Sequence, residues 1–184
     1  KDRAVEDFTP VIADADAEYA QIREIDLSGV VPYVAMPHFI PGNCKPVTEV
    51  EGMPVQQVIL GSCSNGRLED IAVAAEILKG QKIAEGVRMI VIPATQRIYL
   101  EAMRAGYLEI LVESGAVVTN STCGACYGGH LGLIGSGERC LSTTTRNFKG
   151  RMGSPEGEVM LAAPATVAAT ALSGKITDPR KIIH

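Results

Sequence analysis

Between Gln57 and Gly174 short apolar runs alternate with stretches whose apolar residues recur three and four positions apart. "QVILG" reads as a strand, and Leu68, Ile71, Ala72, Ala75 and Leu78 then follow at helical spacing. Glu69 and Asp70 sit in that helix's first turn and Lys79 with Gly80 closes it, as the helix dipole and capping preferences require. The alternation continues with "VRMIVIP" as strand and "TQRIYLEAMRAG" as helix, then "YLEILVESG" as helix and "AVVTN" as strand. "VMLAAP" and "ATVAATALSG" supply one more strand and helix. A chain built this way is expected to fold as α/β, a mainly parallel sheet flanked by helices. Aromatic residues make up only 4% of it and Trp is missing, so its core must be Ala, Val, Ile and Leu. Its 184 residues suffice for one domain with a sizeable core.

The part before this alternation is different. Six of the ten prolines fall between Pro10 and Pro54, so residues 1–55 read as an extended Pro-rich arm or linker ahead of a domain spanning 56–184. Asp14, Asp16 and Glu18 have a calcium-loop look, but the glycine and distal Glu of such a loop are missing, which leaves a solvated acidic surface. A formal net charge of −4 and the lack of any basic run argue against a nucleic-acid partner. The sequence contains no apolar run of about 18 residues and no leader pattern, so neither a membrane span nor a secretory signal is expected. Five cysteines, an odd number in a domain large enough to need no staples, suggest reduced thiols in the cytoplasm. The chain opens without Met inside a loop-like stretch and reads as a piece of something longer.

In open parallel sheets, ligands bind beyond the carboxyl ends of the strands. Cys63 directly follows "QVILG", and Cys123 and Cys126 in "NSTCGACYGGH" follow "AVVT", so three thiols are expected on one rim. A Cys-x-x-Cys pair can hold zinc, work as a redox dithiol or bind an iron-sulfur cluster. A structural zinc site wants a second pair, which is missing, although His130 could complete one. A redox dithiol wants a helix where "CGACYGG" has glycines. Three thiolates on glycine-lined loops suit a cluster with one iron left open as a Lewis acid. Further on, "STTTRNFKGRMGSP" places Arg146 and Arg151 on a loop after an apolar segment, and arginine suits bidentate carboxylate recognition. An open iron beside two such arginines points to a polycarboxylate that chelates it.

"GSCSNGRLED", "TCGACYGGH" and "RNFKGRMGSPEGEV" resemble the three motifs of the aconitase superfamily, in particular of its 3-isopropylmalate dehydratase and homoaconitase large subunits. The similarity extends through "IDLSGVVPYVAMPH" and "LAAPATVAATALSGKI", nearly the whole chain. It implies a 4Fe-4S cluster on Cys63, Cys123 and Cys126, and substrate carboxylates bound by Arg146 and Arg151. It implies a hydro-lyase that removes water from a 2-hydroxy polycarboxylate and returns it with the hydroxyl moved, as in leucine biosynthesis; dehydratases of methylated malates or citrates would use the same motifs. Members of the family carry two further α/β domains ahead of this one and a serine base on a separate swivelling domain or small subunit. The chain therefore resembles the cluster-bearing third domain, expected to be inactive alone, and no catalytic residue is assigned within it. One departure is Thr145, which stands where the family usually has the first Asn of Asn-Arg-Asn-Phe and puts a hydrogen bond to cluster or substrate in question.

Asn65, beside the first cysteine, either lines the site or caps its loop. His130 is close enough in sequence to reach the cluster or substrate, although a structural histidine is the plainer reading. Cys44 and Cys140 read as packing residues, His38 as a turn former, and Met152 and Met160 as core or lining. Outside the enzyme reading, a zinc-binding or redox Cys-x-x-Cys module remains open on the spacing.

Overall fold

The computed structural model describes residues 6–39 and 42–182 and divides the chain into two compact units, Lys1–Val30 and Val31–His184. In the first unit every described residue is exposed, Asp14, Asp16 and Glu18 included. Among its described residues Leu27–Gly29 form a 3-10 turn, capped by the Asp26 carboxylate, which accepts from the Ser28 amide at 2.9 Å.

The second unit is a seven-stranded sheet: β1 (Tyr33–Ala35), β2 (Cys44–Pro46), β3 (Gln57–Gly61), β4 (Arg88–Ile92), β5 (Val117–Val118), β6 (Arg139–Ser142) and β7 (Glu158–Ala162). Its helices are α1 (Val47–Val50), α2 (Leu68–Leu78), α3 (Gln96–Arg104), α4 (Tyr107–Glu113) and α5 (Pro164–Ser173). The strands lie in the order β2, β1, β7, β6, β3, β4, β5. β1 runs antiparallel to β2 and β7, and the other pairs are parallel.

This order explains where each connection lies. From β3 the chain steps to β4 and β5 in one direction, and α2, α3 and α4 cover one face. It then returns to β6 and β7 in the other direction, for which a right-handed crossover must pass over the opposite face. Strand side chains alternate accordingly. Val58, Leu60, Met89, Val91, Leu141 and Met160 point into a core with Ile71, Ala75 and Leu78 of α2 and Val167 and Ala171 of α5. Ile59, Ile90, Ile92, Cys140 and Val159 point the other way, where Ala125, Cys126, Ile134 and Met152 cover them. The named helices thus lie on one face, and the loops after β5 and β6 cover the other. Met152 and Met160 are core residues, one on each face.

The extended stretch expected over residues 1–55 is shorter than the prolines suggested. β1, β2 and α1 belong to the second unit, with Val34, Val47, Val50 and Val55 buried in its core. Pro46 ends an edge strand, and the Pro32 carbonyl accepts from the Val47 amide at 2.8 Å. Proline is tolerated in such edge positions because they need no ladder donor. Cys140 is buried as a packing residue, and burial pushes its thiol from an ordinary 9.0 up to about 12. Cys44 is not a packing residue: it is exposed on β2, an edge strand open to solvent. His38 is half-buried in the bend after β1, its Nδ1 without a partner among the described residues.

Candidate active site

β3, β5 and β6 end on the same rim, and β3 and β6 are neighbours at the point where the winding reverses, where open sheets leave a crevice. The turn after β3 is built by close backbone approach. A Cβ at Gly61 would lie 2.0 Å from the Ile92 carbonyl oxygen, and one at Gly66 2.4 Å from the same atom. Both glycines have positive φ, +101° and +84°, so glycine is required on two counts. The turn is stitched to the end of β4: the Ser62 amide donates to the Ile92 carbonyl at 3.1 Å and the Ala94 amide to the Gly66 carbonyl at 3.0 Å. The Asp70 carboxylate accepts from the Gly66 and Arg67 amides at 3.1 and 3.0 Å and anchors the turn to α2. Ser62, the residue before Cys63, holds φ at +122°, a strained value for a side chain with a Cβ.

Thr143 ties this turn to β6. Its hydroxyl accepts from the Gly61 amide at 2.7 Å, and its carbonyl accepts from the Asn65 side-chain amide. Asn65 therefore makes a contact from the turn after β3 to the end of β6.

Cys63 and Cys123, sixty positions apart, bring their sulfurs to 3.9 Å, both exposed. Cys126 is buried in the 3-10 turn Gly124–Tyr127, and its amide donates to the Cys123 carbonyl at 3.1 Å. The hydrogen bond with Cys63 and the negative potential of that thiol and of Cys126 push the Cys123 thiol above its ordinary value, against the Arg151 charge. Arg151, half-buried, donates from Nε to the Cys126 carbonyl. Arg146 is exposed, and its Nη1 donates to the Thr145 carbonyl at 2.8 Å. Among the described residues no carboxylate pairs with either arginine, so both guanidiniums stay available to an anion. His130 is exposed, with no side-chain hydrogen bond among the described residues, and Thr145 is half-buried beside Arg146.

No three His, Cys, Asp or Glu side chains among the described residues stand as a ready single-ion site. Zinc draws four ligands to one point. A cluster makes a different demand, because each thiolate bonds its own iron. The donor set fits such a group: soft thiols on two backbone turns, and two buried hydroxyls without a partner, Ser62 Oγ and Ser121 Oγ, beside the cysteine positions. Thr143 and the unpartnered serines escaped the sequence reading. For Thr143 the signal was available, since it follows a strand ending on the same rim.

Residues 39–174 match the family model described as the aconitase family (aconitate hydratase). The 3-isopropylmalate dehydratase large subunit of Mycolicibacterium smegmatis is 54% identical over 182 residues, 99% of this chain and 43% of that protein. That of Clostridium kluyveri is 52% identical over 183 residues, 100% of this chain and 43% of that protein. The large subunit 2 of the same enzyme from Archaeoglobus fulgidus is 51% identical over 177 residues, 96% of this chain and 42% of that protein. The chain thus spans less than half the length of the relatives it matches.

Proposed function

The chain belongs to the aconitase family, and from that premise we propose that it is the cluster-bearing part of the large subunit of a hydro-lyase acting on a 2-hydroxy polycarboxylate. The observation that carries this reading is the meeting of Cys63 and Cys123 at 3.9 Å on a rim shared with Arg151. The family implies a 4Fe-4S cluster, and Cys63, Cys123 and Cys126 are the residues of this chain that would hold it. Bound there through three thiolates, the cluster supplies one iron with an open position, a Lewis acid for the hydroxyl to be lost.

The chain's own part is binding and orientation. Arg146 and Arg151 take substrate carboxylates through their guanidinium forks, which fixes the carbon skeleton while the hydroxyl leaves and returns at the neighbouring carbon. Arg151, anchored on the Cys126 carbonyl, holds its carboxylate at a set place relative to the thiols. Removal and return of the carbon-bound proton fall to a group outside this chain, on the remaining large-subunit domains or the small subunit. The relatives' names favour 3-isopropylmalate as substrate and leucine biosynthesis as the setting; homoaconitase and dehydratases of methylated malates or citrates use the same arrangement. The free cysteines, three of them exposed, suit the reducing cytoplasm. Among the described residues no helix is long and apolar enough to cross a membrane.

The test is anaerobic reconstitution with iron and sulfide. The parent chain is expected to take up about four of each, and Cys63→Ser to lose them. Retention of zinc by the parent, with no sulfide, would favour a zinc module instead.

A further inference from the structure

Asn147 lies between two exposed residues, Arg146 and Phe148, yet it is itself fully buried. Its Nδ2 donates to the Met36 carbonyl at 2.8 Å, across 111 positions of sequence. Only the amide nitrogen can donate to a carbonyl, so this bond fixes which way the side chain faces. Asn147 Oδ1 is then left buried without a partner among the described residues. A half-satisfied buried amide costs stability that an apolar residue would not.

The neighbourhood gives that cost a use. Met36 sits just past β1, and its amide donates to the Asn43 carbonyl at 2.7 Å, while the Asn43 side chain donates to the Pro37 carbonyl at 2.7 Å. The neck of the β1–β2 hairpin is thus a closed and fixed point. On the other side of the arginine loop, the Thr144 amide donates to Ser142 Oγ at 3.1 Å and holds the loop to β6. Between these two anchors lie only Thr145 and Arg146, and among the described residues the Arg146 side chain has no tie except to its neighbour's carbonyl. Arg151 has a separate anchor on the Cys126 carbonyl.

We infer that Asn147 is a positioning residue that, by clamping the arginine loop to the β1–β2 hairpin, sets where Arg146 holds a substrate carboxylate. This rests on the functional reading above. It makes the hairpin, which carries Cys44 but none of the rim cysteines, part of the binding apparatus.

The test uses the full-length large subunit assembled with its small subunit, with 3-isopropylmalate as substrate. Asn147→Ala is expected to raise KM about tenfold with a much smaller change in kcat and with unchanged iron and sulfide content. In an Arg146→Ala background the same substitution is expected to have almost no further effect, because it acts through that arginine. An unchanged KM, an equal effect in both backgrounds, or lost cluster with normal KM overturns the inference. Should Asn147→Ala fail to assemble, Asn43→Ala, which loosens the hairpin neck, goes through the same cycle and is judged by the same outcomes. A parent enzyme that turns over neither 3-isopropylmalate nor a related hydroxy acid overturns the functional reading and this inference with it. Turnover by the parent with an Asn147 effect that ignores Arg146 overturns the inference alone.

Discussion

At Gly66, φ of +84° and a carbonyl 2.4 Å from where a Cβ would stand make any side chain a double fault. Gly66→Ala is expected to cost about 2–4 kcal/mol, read as a lower urea midpoint, because the turn can relieve the clash only by breaking its bonds to β4. Cys140 makes a prediction about pH. Its folded thiol titrates near 12 and its unfolded thiol near 9.0, so the folded state binds the proton more tightly. The stability this contributes is complete below pH 9 and is lost as pH rises toward 12. At pH 8, iodoacetamide should label Cys44 and Cys63, both exposed, and leave Cys140 untouched until the chain unfolds. Labelling of Cys140 in the folded protein would show that its burial is breached.

The strand ends act through Thr143, which serves two loops at once. Thr143→Val keeps the shape but leaves the buried Gly61 amide without its acceptor, an expected loss of about 1–3 kcal/mol in urea unfolding. With the turn loosened, iron uptake should fall as well, and wild-type stability in this variant would mean that water satisfies the amide. β3, β4 and β7 were legible in the sequence as short apolar runs, and α2 as apolar residues at helical spacing between an acidic first turn and Gly80. β1 and β2 were not, because their prolines mimic a linker. The loops after β5 and β6 have no period at all, so although Met152 read as core or lining, nothing in Ala125 or Ile134 announced that they close one side of the core. The rim itself was readable from strand ends, which is why the cysteines and arginines could be placed there. The Asn147 tether was not, since the segment it grips lies far back in sequence and shows no motif of its own.

For the molecule as a whole, the relatives are more than twice as long as this chain, and the proton-transferring group lies outside it in the reading above. The chain alone, loaded with iron and sulfide, should therefore show no dehydration of 3-isopropylmalate by absorbance of the unsaturated product. Activity should appear only with the remaining large-subunit domains and the small subunit. Turnover by the isolated chain would place a base within it. The loops that carry Cys126 and the two arginines are also the cover of one sheet face. Surface loops ordinarily drift freely through evolution, but these cannot change length or apolar content without opening the core. A lineage that turned this scaffold to a new acid would be pushed to write the change elsewhere, on parts that touch the substrate without holding up the sheet.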